Sequence, residues 1–202
     1  MKRMLTLLAA LVLLACPVMA EETGVQAEAN AAYAAVLLTG ADYSPMNEEV
    51  LPLKESRPVR FAVMDMNGDG VAEVVLEVEA PEGFLILTYH EGRVYVGEEV
   101  QRGLLDLKDD GTSSFSSGAM DNGVWDFCFV VEEDTGRPVG IGHYVLAESR
   151  SSDDGSVAYV LDGGQKTTDE AGYRAYLAEH AAKLDALWYD YTEETVKMLL
   201  GQ

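Results

Sequence analysis

Phe61-Ala62-Val63-Met64-Asp65-Met66-Asn67-Gly68-Asp69-Gly70-Val71-Ala72-Glu73-Val74-Val75-Leu76 is the stretch on which the reading of this 202-residue chain turns. On its first side Val59, Phe61 and Val63 alternate with Arg60, Ala62 and Met64, and on its second Val74, Leu76 and Val78 alternate with Glu73, Glu77 and Glu79. A period of two predicts strands, here each with one buried face. Between them Asp65, Asn67, Asp69 and Glu73 put side-chain oxygens at loop positions 1, 3, 5 and 9, while Gly68 and Gly70 permit positive backbone dihedrals.

Oxygen donors at alternate positions of a tight loop suit a hard cation. Calcium takes six to eight oxygens in flexible geometry. The expected ligand set is Asp65, Asn67 and Asp69 through their side chains, Val71 through its carbonyl, and Glu73 as the closing carboxylate. The closing acid falls at position 9, not the position 12 of an EF-hand, and strands flank the loop instead of helices. The run resembles the calcium hairpin of FG-GAP and VCBS-type repeats, and that resemblance implies the same four side-chain ligands. It covers about twenty residues, Arg60 to Val78, occurs once, and has Glu where Asp is commoner. A metal-free alternative is an Asx-turn hairpin, in which Asp65 and Asn67 bond to their own backbone. More broadly the chain looks like small secreted proteins and lipoproteins of Gram-positive bacteria.

Working outward, turn residues recur at short intervals: Pro81-Glu82-Gly83, Glu91-Gly92, Asp109-Asp110-Gly111, Asp121-Asn122-Gly123, Asp134-Thr135-Gly136, Asp153-Asp154-Gly155 and Asp162-Gly163-Gly164. This spacing predicts an antiparallel meander, with Phe84–Tyr89 and Arg93–Val96 as one hairpin. Helices are expected at both ends. Val25 to Leu38 carries a helical stripe ending at Gly40. Thr167 and Glu170 form a candidate capping box for a helix bearing Tyr173, Leu177, Ala181, Leu184 and Trp188, and a last helix should start at Thr192. The fold class expected is α+β: a meander packed by an N-terminal helix and C-terminal helices.

Residues 1–20 read as a secretory signal: Lys2 and Arg3, an apolar run, then Val18-Met19-Ala20. The segment Leu13-Leu14-Ala15-Cys16 offers the alternative of a lipoprotein anchored through Cys16. Residues 21–202 are then expected to form one extracellular domain, with no transmembrane segment in the mature chain. Against 14 Lys+Arg stand 35 Asp+Glu, a formal charge of −21 that loss of Lys2 and Arg3 makes more negative. Such a surface repels nucleic acid and favours divalent cations and basic partners.

Reactive chemistry is sparse. Cys128 sits between Phe127 and Phe129, the setting of a buried thiol, not a nucleophile. His90, His143 and His180 have no zinc-type spacing, and Asp109-Asp110 and Asp153-Asp154 fall in turns. The expectation is a non-enzymatic binding or scaffold domain of the cell envelope stabilised by calcium, with no catalytic residue assigned. The alternative is a secreted hydrolase of glycan or peptide whose site only the fold assembles. A cleft with two convergent carboxylates backed by aromatics would favour the hydrolase.

Overall fold

The computed structural model describes residues 24–40, 43–46, 53, 56–79, 83–99, 104–116, 121–151 and 153–201. The expected signal at 1–20, with Cys16, and the Cys128 side chain lie outside the described residues. The chain is an α+β protein. In order it forms α1 (Gly24–Thr39), β1 (Tyr43–Pro45), β2 (Pro58–Met64), β3 (Glu73–Val78), β4 (Phe84–His90), β5 (Arg93–Glu99), β6 (Ser113–Ser116), β7 (Asp121–Val131), β8 (Pro138–Arg150), β9 (Val157–Leu161), β10 (Lys166–Thr168), α2 (Glu170–Ala181), β11 (Tyr189–Asp190) and α3 (Glu193–Leu199).

The strands make two meanders. Sheet 1 runs β1-β5-β4-β3-β2-β11 and sheet 2 runs β10-β9-β8-β7-β6. All the pairings are antiparallel except β1 with β5, which is parallel. One apolar cluster lies between α1, α3 and sheet 1, and includes Tyr33, Phe61, Leu76, Leu87 and Val196. A second joins the other face of sheet 1, through Ala62, Met64, Val75 and Ile86, to Phe127 of sheet 2. The third seats Tyr173 of α2 on Val124 and Leu146 of sheet 2.

This layering corrects the expectation of one buried face per strand. In β2 both Phe61 and Ala62 are fully buried, and in β3 Val74, Val75 and Leu76 are too, because helices cover one face of sheet 1 and sheet 2 covers the other. A continuous apolar run such as Val74-Val75-Leu76 is the mark of a strand covered on both sides. Val59, expected to be buried, is about half exposed at 52%.

Asp121-Asn122-Gly123 is likewise strand instead of turn. Gly123 pairs with Phe115 on one side and Ala147 on the other, and a Cβ there would stand 2.0 Å from the Leu146 carbonyl oxygen. The glycine permits close backbone approach inside the sheet.

The N-terminal helix forms where its stripe predicts, burying Ala29, Tyr33, Val36 and Leu37, and the Gly40 N–H bonds the Val36 carbonyl at 2.7 Å. Helix α2 differs at both ends. Its cap is Asp169, whose carboxylate accepts the Gly172 N–H at 2.8 Å, while Glu170 pairs with Arg174 along the helix. It stops at Ala181 because the segment beyond it turns to bond the 107–109 backbone: Asp109 N–H to Leu184 O at 3.0 Å and Ala186 N–H to Leu107 O at 2.9 Å. Leu184 therefore lies out of the stripe and is 73% exposed. The Thr192 cap of α3 is as expected, accepting the Thr195 N–H at 3.0 Å. Asp169→Ala should cost about 1 kcal/mol and lower the melting temperature by roughly 2–4 °C. An unchanged thermal transition would show that packing alone holds the start of α2.

Candidate functional site

The Met64–Glu73 pairing at the end of the β2–β3 ladder closes the loop 65–72. Asp65 organises it. One carboxylate oxygen, Oδ1, accepts the N–H groups of Gly68 at 2.7 Å and Asp69 at 3.2 Å, and Oδ2 accepts that of Gly70 at 2.9 Å. Asn67 Oδ1 accepts the Asp69 N–H at 3.0 Å, and Asp69 Oδ1 accepts the Val71 N–H at 2.8 Å. The Asn67 amide donates to Asp69 Oδ2 at 2.9 Å. Gly68 and Gly70 sit at φ of 75° and 86°, which turns the chain so that successive N–H groups face inward. These are the side-chain-to-backbone bonds of the Asx-turn reading.

Glu73 closes the loop from beneath. Its side chain does not run out along the strand with Glu77 and Glu79, which pair with Arg60 and Arg57. It is 1% exposed, its Oε2 accepts the Met66 N–H at 2.8 Å, and its Oε1 accepts the Thr88 hydroxyl at 3.1 Å. Burial pushes its pKa up to about 7. The two hydrogen bonds hold that rise back, while the charges of Asp69 and Asp65 add to it. The Tyr33 hydroxyl of α1 is also buried, without a hydrogen-bond partner among the described residues, and burial and then the Glu73 charge raise its pKa. Gln26 Oε1 takes the Ala72 N–H at 2.7 Å, so α1 holds the loop from one side. Met66, 7% exposed, anchors it between the sheets.

The five residues expected to bind calcium therefore fall in three places. Asp65, Asn67 and Asp69 wrap the solvent side of the loop. Glu73 lies below, in electrostatic reach of both aspartates. Val71 is half-buried against the α1 cluster, its N–H held by Asp69. Every candidate side-chain donor is oxygen, as calcium requires. Among the described residues no three His, Cys, Asp or Glu side chains are gathered so as to hold a metal ion.

Other polar groups gather where the sequence shows no local motif. His180 is buried beside Asp106, Nδ1 to Oδ2 at 3.7 Å, and burial lowers its pKa. Lys108, with its side chain 3% exposed, reaches Asp106 at 2.8 Å and Asp185 at 2.7 Å, tying the 104–112 segment to the residues after α2. The acidic pairs stay in turns: Asp110 accepts the Thr112 N–H and Asp154 the Ser156 N–H. A groove of about 480 Å³ between α1 and the β1–β5 edge presents Tyr43, Ser44 and Arg93 and, among the described residues, no carboxylate.

His143 was isolated in sequence, yet the β7–β8 register sets it opposite Asp126, Nδ1 to Oδ1 at 3.3 Å. The signal was the turn at 134–136, since centring a hairpin there puts those two residues on one rung. No family model matches the chain, and comparison with curated proteins and with solved structures finds no match.

Proposed function

We propose that this chain is an extracellular, non-enzymatic binding or scaffold domain, with an envelope component as partner, in which calcium closes the loop 65–73. The observation that supports it is Glu73. The residue at the ninth loop position turns inward, within electrostatic reach of Asp65 and Asp69, and its pKa is raised first by burial and further by those two charges. A divalent cation there would offset both the mutual repulsion and the burial of charge. Asp65, Asn67, Asp69, the Val71 carbonyl and Glu73 are the residues that would hold it. The chain's formal charge of −21 favours cation uptake and disfavours nucleic acid as a partner. Among the described residues no helix is long and apolar enough to cross a membrane.

The test is thermal unfolding in chelator and in calcium. Extracellular calcium modules bind at roughly 10⁻⁴–10⁻³ M, and calcium at about ten times the dissociation constant adds about 1.4 kcal/mol. For a domain of this size that corresponds to roughly 3–6 °C. Asp65→Asn keeps a carbonyl acceptor for the Gly68 and Asp69 N–H groups, gives up the bond from the Gly70 N–H and removes the charge, so it should fold with a somewhat lower transition and lose most of the calcium shift. Equal transitions of the parent chain with and without calcium would leave the Asx-turn hairpin as the whole account of the loop.

A further inference from the structure

Away from the loop 65–73, a cleft of about 380 Å³ opens on sheet 2 below α2, lined by Asp126, His143, Val145, Leu161, Asp162, Lys166 and Tyr176. Five elements meet there. Asp126 and His143 come from one rung of the β7–β8 ladder. Asp126 Oδ1 is buried and accepts no hydrogen bond among the described residues, the nearest polar group being His143 Nδ1 at 3.3 Å, although the side chain as a whole is 45% exposed. A buried acceptor without a donor calls for one.

Across the cleft Asp162 adopts φ of 54°, a conformation uncommon outside glycine, and Gly163 and Gly164 continue the left-handed turn. That turn brings Gly163 against the imidazole, where a Cβ would stand 3.1 Å from Nε2. It also aims Asp162 at Lys166, Oδ2 to Nζ at 3.0 Å. Val145 and Leu161 are half-buried and continue the apolar cluster under α2, and Tyr176 leaves 40% of its surface open above them.

We propose that this cleft binds a neutral glycan, through one or two of its sugar rings. The ammonium of Lys166 is matched by Asp162 at 3.0 Å, which leaves Asp126 as the one carboxylate without a lysine or arginine in the cleft, so no cluster of like charges selects an ion. What remains is a close mixture of donors and acceptors above an aliphatic floor, with a phenol ring on the rim. Sugar hydroxyls donate and accept at once, and the C–H face of a pyranose packs on aliphatic and aromatic surface. The volume falls within the range of small-molecule sites. Asp126 Oδ1 supplies the unmet acceptor for a hydroxyl. This site shares no residue with the calcium loop, and rests on the extracellular reading only for where a glycan would be met.

The experiment is NMR titration of the isotopically labelled chain, in chelator, with N,N′-diacetylchitobiose, cellobiose and maltose, and with spermidine and inorganic phosphate as charged comparators. Working in chelator separates this outcome from the fate of the calcium loop. At least one disaccharide should shift the His143 and Tyr176 signals saturably, with a dissociation constant of about 1 mM or below. Asp126→Ala and Tyr176→Ala, at side chains each about 40–45% exposed, should each weaken binding by about ten-fold while retaining the parent thermal transition. The proposal is overturned by silence of those signals to about 10 mM of all three disaccharides. It is also overturned if spermidine or phosphate shifts them in place of a sugar, or if folded variants bind like the parent.

Discussion

Phe127→Ala is expected to cost about 3–5 kcal/mol and to lower the melting temperature by on the order of 10 °C. Phe127 is 6% exposed and reaches from β7 into the cluster formed by Ala62, Met64, Val75 and Ile86 of sheet 1. Its ring meets Phe129 edge-on at 5.3 Å and lies over Gly140, where a Cβ would come within 2.3 Å of Cζ. Truncation would open a cavity between the two sheets, where neither backbone can collapse to fill it. Urea unfolding with an unchanged slope checks this. A loss below about 1 kcal/mol would mean that Phe127 is not what joins the meanders.

Glu73→Gln should act in the opposite direction, and only at high pH. The folded-state pKa of Glu73 is raised by burial from an ordinary 4.5 to about 7. Its contribution to stability is therefore fully present below pH 4.5 and lost as pH rises through about 7. Above that the ionised, buried carboxylate costs about 3 kcal/mol. Glutamine resembles the protonated acid: its carbonyl can accept the Met66 N–H while its amide donates to the Thr88 hydroxyl. The difference in melting temperature between variant and parent should grow by roughly 6–12 °C in favour of the variant from pH 5 to pH 8.5 in chelator. Burial lowers the pKa of His180, which works in the reverse sense as pH falls below 6.5, so the variant-minus-parent difference is the quantity to read. A pH-independent difference would show that Glu73 is charged throughout. If calcium enters the loop, it should restore the parent above pH 7 and leave Glu73→Gln unmoved.

Local chemistry made much of the fold legible. The hairpin around residues 61–76, the turn at Glu91-Gly92, the stripe of α1 and the Thr192 cap all depend on neighbours within a few residues. What the sequence withheld depends on contacts between distant segments. The packing of the two sheets on each other runs through Phe127 and its distant neighbours on sheet 1, and the end of α2 is set by backbone bonds to the 107–109 segment. Gly123 reads as a turn residue because glycine in sequence cannot say whether it serves a positive φ or a close neighbour. The loop 65–73 was legible as a hairpin because its bonds are local. The Asp126–His143–Asp162 cleft was not, since it draws on four strands and a helix.

The first and last helices, α1 and α3, meet. Tyr191 N–H bonds the Val59 carbonyl at 2.9 Å, the Tyr191 hydroxyl bonds the Leu37 carbonyl of the first helix at 2.6 Å, and Val196 and Leu200 complete the cluster begun by Ala29 and Tyr33. During synthesis α1 can dock on sheet 1 once β2–β5 are made, but the part of its apolar side that faces α3 waits for nearly the whole remaining chain. Long sequence separation of this kind slows folding and leaves greasy surface open in the interval. A nascent chain stalled before residue 189 could build both meanders and seat α1 on sheet 1, yet would still leave open the apolar surface that Tyr191, Val196 and Leu200 cover. To a protease or holding chaperone that would mark it as unfinished.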